Sequence, residues 1–280
     1  MKTTITERWG THPDDVKGYD TSRLRKEFLV EKLFAPDEII MVYSHNDRLI
    51  IGGAMPATEN LQLEAPPQIR SEFFCERRET GIICIEGEGF VIIDGQKHDM
   101  QYMDALYVGR GTREIVFGSS DIAHPALFYF ASAPAHAACP SRKITGDMRR
   151  TRNLGALETS NQRIINQIIL HEILPCCQLQ MGLTELQPGS VWNTMPPHTH
   201  SRRMEAYFYF RVPQAQTVCH FMGKPDETRH LFLADKQAVI SPSWSIHCAA
   251  GTASYAFIWA MCGENLDYDD MDTFSANKLK

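Results

Sequence analysis

Short apolar runs dominate the chain, each about the length of one strand and each followed by a turn rich in glycine or aspartate. Residues 81–95 show the pattern most clearly, because Gly87 and Gly89 separate two apolar runs there. Similar runs follow at residues 104–117 and 126–134. Closely spaced short runs with turn residues between them are typical of antiparallel sandwiches and barrels. We therefore predict an all-β dominated fold with a few short helices.

Residues 20–34 carry the strongest helix signal in the first half of the chain. Leu24, Phe28 and Leu33 recur at a spacing that places their side chains on one face of a helix. The candidates for capping the start of this helix are Asp20, Thr21 and Ser22. The pattern predicts one amphipathic helix ahead of the first strands.

The two halves of the chain repeat one another weakly on either side of a polar, basic stretch. Residues 73–89 resemble residues 198–213, and residues 104–114 resemble residues 237–247. A repeat of this size implies two copies of one β unit. The predicted divisions are an N-terminal barrel over residues 1–140, a linker over 141–165, and a C-terminal barrel over 166–280.

Composition and charge argue against several classes of function. The chain has 280 residues, 43% of them hydrophobic and 22% charged, as in globular rather than disordered proteins. Its formal net charge of -6 provides no basic excess to attract nucleic acid. No stretch approaches the roughly 18 consecutive apolar residues that cross a membrane, and residues 1–15 lack the apolar core of a signal peptide. We therefore predict a cytoplasmic protein with no nucleic-acid or membrane partner.

The eight cysteines include no C-x-x-C pair, and most of them lie among apolar residues. A thiolate zinc site requires paired spacing, so the cysteines do not predict one. We expect them to be reduced and to pack as small apolar side chains.

A cluster of potential metal ligands lies in residues 188–210. His198 and His200 are two positions apart, so on a strand both side chains point to the same side. Glu205 begins an alternating run in which Tyr207 shares its face. A carboxylate at the start of that strand can meet the two histidines across a barrel.

The resulting pattern, H-x-H-x4-E, resembles the first half of the metal-binding motif of cupins, a family of small β-barrels. The second half of that motif is a proline turn followed by histidine, present here as Pro242-x4-His247. Many cupins have glycine where Trp244 stands, a difference that concerns the turn rather than the ligand. Three imidazoles and one carboxylate suit Zn, Mn, Fe, Co or Ni. The predicted ligands of one divalent ion are His198, His200, Glu205 and His247.

The first copy of the repeat lacks these histidines. Its equivalent positions carry Glu79 and Glu114 without any histidine pair. We therefore expect the first barrel to be structural and the second to carry the chemistry. This arrangement is a tandem cupin, that is, two double-stranded β-helix or jelly-roll barrels in one chain.

Long blocks of the sequence resemble the 5-keto-4-deoxyuronate isomerases, also called 4-deoxy-L-threo-5-hexosulose-uronate ketol-isomerases. The most extensive block covers residues 177–210, and the resemblance extends from about residue 20 to residue 272. The other blocks are residues 24–56, 73–81, 104–117, 227–233, 238–247 and 263–272.

This resemblance implies a two-barrel cupin with one zinc ion per chain, held by the four residues of the motif. It also implies a homo-oligomer, a hexamer. The implied reaction converts 5-dehydro-4-deoxy-D-glucuronate to 3-deoxy-D-glycero-2,5-hexodiulosonate in pectin breakdown. Such an aldose-ketose isomerisation moves a proton between neighbouring carbons and requires a general base.

The sequence leaves the base and the substrate contacts open. The candidates for the proton-transfer group are His220, His230, Glu185 and Tyr207. The arginines that could pair with an anionic substrate are Arg202, Arg203 and Arg229. Two other functions are compatible with the same ligands: an Fe(II) dioxygenase, or a non-enzymatic sugar-binding cupin.

Overall fold

The apolar runs fold as antiparallel strands in the computed structural model, which describes residues 2–264 and 267–280. Met1, Asn265 and Leu266 lie outside the described residues. The 263–272 sequence block is therefore described only in part. Strands dominate the described residues, and the predicted all-β class is confirmed.

In chain order the strands are β1 (Lys2–Arg8), β2 (Leu29–Val30), β3 (Glu38–Ser44), β4 (Ile50–Met55), β5 (Leu61–Gln62), β6 (Arg78–Glu86), β7 (Gly89–Ile93), β8 (Gln96–Met100), β9 (Ala105–Val108), β10 (Ile115–Ser119), β11 (Leu127–Pro134), β12 (Arg142–Ile144), β13 (Arg150–Leu154), β14 (Arg163–Ile169), β15 (Gln180–Leu186), β16 (Trp192–Asn193), β17 (His198–Thr199), β18 (Arg203–Phe210), β19 (Val218–Lys224), β20 (Glu227–Leu233), β21 (Gln237–Ser241), β22 (Cys248–Gly251), β23 (Ala256–Gly263) and β24 (Asp272–Thr273).

Helices are short. The α-helices of the described residues are α1 (Pro13–Val16) and α2 (Thr21–Phe28), and the 3-10 turns are Pro67–Ile69, Gly146–Met148, Leu157–Thr159 and Ala276–Lys278. Asp20 caps α2, since its side chain accepts a hydrogen bond from the backbone N–H of Arg23 at 2.8 Å. The helix ends at Phe28, well short of the predicted residue 34, because the chain turns extended at Leu29 and enters β2. No helix in the described ranges is long and apolar enough to cross a membrane.

The described residues form two units, and neither is continuous in sequence. The first contains residues up to Glu7, Lys32–Arg149 and Ile168–Gln180; the second contains Arg8–Glu31, Arg150–Gln167 and the described residues from Met181 to Lys280. The contiguous divisions expected from the sequence differ from these units at the N-terminal segment and around residues 141–180.

The N-terminal segment belongs to the second unit because its apolar side chains pack there. In α2 the buried side chains are Leu24 and Phe28, and the Phe28 ring meets the Trp244 ring edge-on at 6.3 Å between centroids. Strand β2 then pairs with β21, placing Leu29 opposite Val239. Burial of this apolar face stabilises the attachment, since each fully buried large side chain contributes about 1.5–3 kcal/mol.

The stretch expected to be a linker also forms strands. Residues 141–165 contain β12, β13 and the beginning of β14. Strand β13 pairs with β14 along its whole length, from Arg150 opposite Gln167 to Leu154 opposite Arg163. Its side chains are mostly exposed, which explains why the sequence shows polar residues there rather than an apolar run.

The two units share one arrangement of strands. The first unit has a seven-stranded sheet, β1-β3-β4-β11-β6-β9-β12, and a four-stranded sheet, β5-β10-β7-β8. The second has a seven-stranded sheet, β13-β14-β15-β23-β18-β21-β2, and a four-stranded sheet, β16-β22-β19-β20. Strand β6 therefore occupies the place of β18, and β9 the place of β21. The repeat detected in the sequence matches these pairs of strands.

Each unit is a jelly-roll barrel with an apolar interior. In the first, both sheets contribute to one buried cluster in which the Phe117 and Phe130 rings stack at 6.0 Å between centroids. Phe74 closes the cluster against Phe130 edge-on. Facing side chains that exclude water in this way are the main stabilising element of such sandwiches.

The first unit also buries a carboxylate, that of Glu79 on β6. Its Oε2 accepts hydrogen bonds from the Tyr107 hydroxyl at 2.6 Å and the Cys177 backbone N–H at 2.7 Å. Its Oε1 accepts from the backbone N–H groups of Gln178 at 2.6 Å and Leu179 at 2.7 Å. Four donors satisfy the two oxygens, so the carboxylate joins the segment after Pro175 to the barrel of the first unit.

Candidate metal centre and cavity

The four residues of the sequence motif come from neighbouring elements of the second unit. His198 lies on β17 and His200 directly follows it, while Glu205 lies on β18. His247 directly precedes β22, after a turn in which the Ser245 N–H donates to the Pro242 carbonyl oxygen at 3.0 Å. The proline turn with Trp244 in place of glycine therefore still brings the histidine to the site.

Their donor atoms converge on one point. The Oε2 of Glu205 lies 3.0 Å from His200 Nε2 and 3.0 Å from His247 Nε2. His247 Nε2 is also 3.0 Å from His198 Nε2, and all four donor atoms lie within 4.8 Å of one another. His200, Glu205 and His247 are buried, and His198 is partly buried. The structure thus brings all four predicted ligands together.

The donor set fits a divalent cation. Two ligand atoms bound to one zinc-sized ion are separated by roughly 3.0–3.4 Å, which matches the 3.0 Å spacings within the cluster. Two imidazole nitrogens that face each other at this distance, with a carboxylate beside them, are stabilised by a positive ion between them.

Hydrogen bonds outside the cluster orient the imidazoles. His247 Nδ1 lies 3.3 Å from the carbonyl oxygen of Ser245 and 3.3 Å from the Ser241 hydroxyl. When Nδ1 donates to that carbonyl, the lone pair of Nε2 points into the cluster. His200 Nδ1 lies 3.3 Å from the carbonyl oxygen of Asp270 and 3.3 Å from Arg203 Nε, and these two contacts hold the ring in place.

The electrostatics of the cluster favour the protonation states of metal ligands. The pKa of His198 is lowered to about 2, first by burial and then by the neighbouring His247 and His200. Burial also lowers the pKa of His200. Burial alone would raise the pKa of Glu205, but the neighbouring His247 and His200 outweigh it and hold that pKa well below its usual range. Neutral imidazoles beside an ionised carboxylate are the forms that bind divalent cations.

Three residues of the cluster, His198, His200 and Glu205, line a cavity of about 250 Å³ within the second unit. This volume is just below the range of about 300–1,000 Å³ common for ligand sites, so it suits a small molecule. The lining is mixed: aromatic and aliphatic side chains cover much of the wall, with polar and charged groups among them. The polar and charged lining residues are Arg152, Arg163, Thr184, Thr194, His198, His200, Glu205, Tyr207, Tyr268, Asp269 and Thr273.

Of the four proton-transfer candidates, Tyr207 lines this cavity and the other three are not among its lining residues. His220 is buried, with its Nδ1 2.7 Å from the Tyr209 hydroxyl. His230 is exposed on β20, and Glu185 accepts a hydrogen bond from Arg211 at 2.6 Å. The Tyr207 hydroxyl lies 3.2 Å from the Thr194 hydroxyl, and burial raises the pKa of Tyr207 well above its ordinary value.

The three arginines singled out in the sequence are also absent from the cavity wall. Arg203 is buried and donates to the backbone carbonyl oxygens of Asp267 at 2.7 Å and Tyr268 at 2.8 Å. Arg202 lies near acidic side chains at the surface, and Arg229 donates to the Lys17 carbonyl oxygen at 2.6 Å. Their role as substrate contacts stays a prediction, since sequence proximity to the histidines does not fix the direction of a side chain.

Four charged or phenolic residues that line the cavity were not predicted from the sequence: Arg152, Arg163, Tyr268 and Asp269. The first two lie on β13 and β14, within the stretch taken for a linker. Residues 150–154 read Arg-Thr-Arg-Asn-Leu, so no alternation of polar and apolar residues indicated a strand there. The other two lie in the 263–272 block, which the family resemblance marked without assigning a role.

Comparison with known proteins decides the family. A family model described as "KduI/IolB family" matches residues 28–276. The chain belongs to the KduI/IolB family. Curated relatives cover essentially the whole chain: the 4-deoxy-L-threo-5-hexosulose-uronate ketol-isomerase of Bacteroides fragilis is 52% identical over 100% of both chains. A protein named 4-deoxy-L-threo-5-hexosulose-uronate ketol-isomerase 2, from Enterococcus faecalis, is 51% identical over 98% of this chain and 99% of its own.

These KduI/IolB relatives are named as ketol-isomerases, and the chain is accordingly an enzyme that interconverts an aldose and a ketose. Solved structures agree on the fold alone. An IolB-like protein from Salmonella typhimurium aligns with a TM-score of 0.67, at 16% identity, over 81% of this chain and 87% of its own. The oxalate decarboxylase of Lactobacillus farciminis aligns with a TM-score of 0.55, at 12% identity, over 82% of this chain and 80% of its own.

Proposed function

We propose that this chain is a zinc-dependent isomerase that converts 5-dehydro-4-deoxy-D-glucuronate to 3-deoxy-D-glycero-2,5-hexodiulosonate in pectin breakdown. The observation that carries the proposal is a cluster of three imidazoles and one carboxylate, of which two imidazoles and the carboxylate line a small cavity. The substrate follows the names of the relatives that are about 50% identical over the full chain. Neither an oxygen-using cupin nor a sugar-binding one is favoured by a comparable observation.

One zinc ion per chain would be held by His198, His200, Glu205 and His247. When bound, a divalent ion supplies positive charge that stabilises the negative charge developing on sugar oxygens during isomerisation. Burial of His200, Glu205 and His247 lowers the local dielectric, which strengthens the charge interactions within the site.

Groups that line the cavity carry out the proton transfer. Since the pKa of Tyr207 is raised by burial, its hydroxyl remains protonated near neutral pH and can donate a hydrogen bond or a proton to a sugar oxygen. Asp269 is the one carboxylate besides Glu205 among the described residues that line the cavity. It is therefore the group we assign to accept the proton from carbon. We do not assign this role to His220, His230 or Glu185, because they do not line the cavity.

The deciding experiment measures metal content and activity on the same preparation. We expect about one zinc per chain, conversion of the keto-uronate, loss of conversion on chelation and recovery when zinc is returned. Bound iron, oxygen uptake and no conversion of the keto-uronate would replace this proposal with an oxygen-using cupin. Conversion that persists in a preparation stripped of metal would remove the ion from the reaction.

We also propose that the chain assembles as a homohexamer and is located in the cytoplasm. Light scattering coupled to size-exclusion chromatography measures the mass of the assembly, which we expect to be about six times that of the 31.8 kDa chain. A mass equal to one chain would contradict it. Fractionation of the native cells, followed by immunodetection, tests the cytoplasmic location.

A further inference from the structure

Two arginines approach the cavity from one face of a strand pair. Leu154 lies opposite Arg163, and Arg152 lies opposite Ile165, on the antiparallel strands β13 and β14. Residues two apart on a strand, and residues directly opposite on its neighbour, point to the same side of a sheet. All four of these side chains line the cavity that contains the metal-ligand cluster. Two guanidinium groups therefore lie diagonally across from each other on its wall.

Arg163 has few partners within the protein. Its Nη1 donates to the carbonyl oxygen of Asn161 at 2.9 Å, and its other N–H groups have no acceptor among the described residues. No carboxylate of the described ranges lies within ion-pair distance of it, and the ionisable groups that act on it are the phenols of Tyr207 and Tyr268. Burial lowers the pKa of Arg163 below its ordinary value, but a guanidinium stays protonated in proteins.

Arg152 adds a second positive charge that is also without an ion pair among the described residues. The carboxylates on the same wall are Asp269 and Glu205, and neither forms an ion pair with these arginines among the described residues. This differs from Arg202, Arg203 and Arg229, whose guanidinium groups face protein carboxylates or backbone carbonyl oxygens. A partly buried guanidinium with open donors on a cavity wall is a site for an anion, because the five N–H groups of arginine match a carboxylate in two-point contact.

We propose that Arg163, with Arg152 beside it, binds the carboxylate of the sugar acid and so selects uronates over neutral sugars. The inference rests on the proposed function, since it concerns the same cavity. Carboxylate capture by Arg163 fixes one end of the open-chain sugar, and the reacting carbons at the other end can then reach the metal-ligand cluster. Arg163 is a specificity-determining residue: its contact contributes to substrate binding and not to the chemical step.

The experiment compares Arg163→Met, Arg163→Lys and the control Arg142→Met, each purified with its metal. Arg142 is an exposed arginine on β12 of the first unit, so its replacement removes the same charge away from the cavity. We expect KM for the keto-uronate to rise roughly 10- to 100-fold in Arg163→Met, the loss typical of a hydrogen bond to a charged group. Arg163→Lys retains the charge without the two-point contact and should recover part of that loss.

A binding measurement separates substrate recognition from a structural role. D-glucuronate and D-glucose, which differ in the carboxylate, are tested as competitive inhibitors. In the wild-type enzyme and in Arg142→Met we expect D-glucuronate to inhibit more strongly; in Arg163→Met the two sugars should inhibit alike. Metal content and the circular dichroism spectrum should be unchanged in all variants.

The outcomes distinguish this inference from the proposed function. If the wild-type enzyme does not convert the keto-uronate, the proposed function fails. If the wild-type enzyme converts it while Arg163→Met retains both KM and the preference for D-glucuronate, the role of Arg163 is overturned and the proposed function stands. If Arg163→Met loses metal or fails to fold, Arg163→Lys decides: a wild-type KM in that variant, with no change in inhibitor preference, counts against two-point recognition.

Discussion

The guanidinium of Arg203 donates to the backbone carbonyl oxygen of Tyr268 at 2.8 Å, across 65 positions of sequence. The same group donates to the Asp267 carbonyl oxygen, and its Nε lies 3.3 Å from His200 Nδ1. Arg203 therefore joins the metal-ligand cluster to the segment that carries Tyr268 and Asp269 into the cavity. These contacts place Arg203, which the sequence offered as a substrate contact, where it can position the wall of the site.

Replacing Arg203 by methionine should loosen that segment. The substitution leaves partly buried carbonyl oxygens without the Arg203 donors, which costs about 1–3 kcal/mol of the free energy of unfolding. We expect a lower Tm together with a lower kcat/KM. Arg202→Met, which alters an exposed neighbour, is the matched control and should change neither value appreciably. Equal stability of Arg203→Met and wild type in urea denaturation would contradict the positioning role.

Replacing His198 by alanine should abolish metal binding and activity while leaving the fold intact. His198 is the least buried of the four ligands, so its removal disturbs packing least. Metal analysis and circular dichroism on the same sample provide the measurement. His230→Ala, a change at an exposed histidine outside the cavity, should retain both metal and activity. Full activity in His198→Ala would refute the assignment of the ligands.

The two barrels allow a matched test on glutamates. Glu205→Gln should lose metal, because an amide is a weaker ligand than a carboxylate for such ions. Glu79→Gln should keep the metal but lower the free energy of unfolding by about 1.5–3 kcal/mol, since one of its oxygens becomes an amide that faces backbone donors. Metal content and urea denaturation of both variants give the answer. Metal loss in Glu79→Gln would show that the first unit is not purely structural.

Removing the Tyr207 hydroxyl should slow the chemical step more than it weakens binding. In Tyr207→Phe we expect kcat to fall roughly 100-fold with a small change in KM, as for the loss of a general acid. Asp269→Asn should show the same pattern if its carboxylate accepts the proton. Exchange of substrate hydrogen with deuterated water, measured by NMR, reports directly on that step. Unchanged exchange in Asp269→Asn would assign the base elsewhere.

The free energy of unfolding should fall as the pH is lowered, partly because His220 is buried in its neutral form. Its pKa is lowered to about 3, by burial first and then by the nearby His247, whereas the ordinary value is 6.5. Between these values the unfolded chain binds a proton that the folded chain does not. The contribution of a neutral His220 is therefore complete above pH 6.5 and is lost as the pH falls toward 3.

The measurement is urea denaturation at about pH 7 and about pH 5, where one such proton changes the free energy of unfolding by about 1.4 kcal/mol per pH unit. His220→Asn keeps a polar group toward the Tyr209 hydroxyl but does not titrate, so its stability should depend less steeply on pH. Parallel slopes for wild type and variant would contradict the role of His220.

Much of the fold and of the metal cluster could be predicted from the sequence, because both depend on local spacing. The alternation of Glu205 and Tyr207 defines which side chains share a face of β18, and the H-x-H spacing does the same for His198 and His200. The strand order of the barrel, indicated by the sequence repeat, then places His247 beside the other three ligands.

The remaining features depend on contacts between segments far apart in sequence. Nothing in residues 8–31 alone indicates that Leu29 pairs with Val239 and joins the second unit. Likewise, polar residues on β13 resemble a linker, because an edge strand with exposed side chains has no apolar run. The direction of Arg203 depends on the carbonyl oxygens it meets, and their positions are set by the folded chain.

The four hydrogen bonds accepted by Glu79 limit what the first barrel could become. A carboxylate has about four lone-pair sites, and here protein donors use each of them. Grafting the missing histidines onto β6 and its neighbours would therefore not yield a second reactive centre. A designer would first have to redirect residues 177–179 away from Glu79, and the first barrel would lose its own internal support in the exchange.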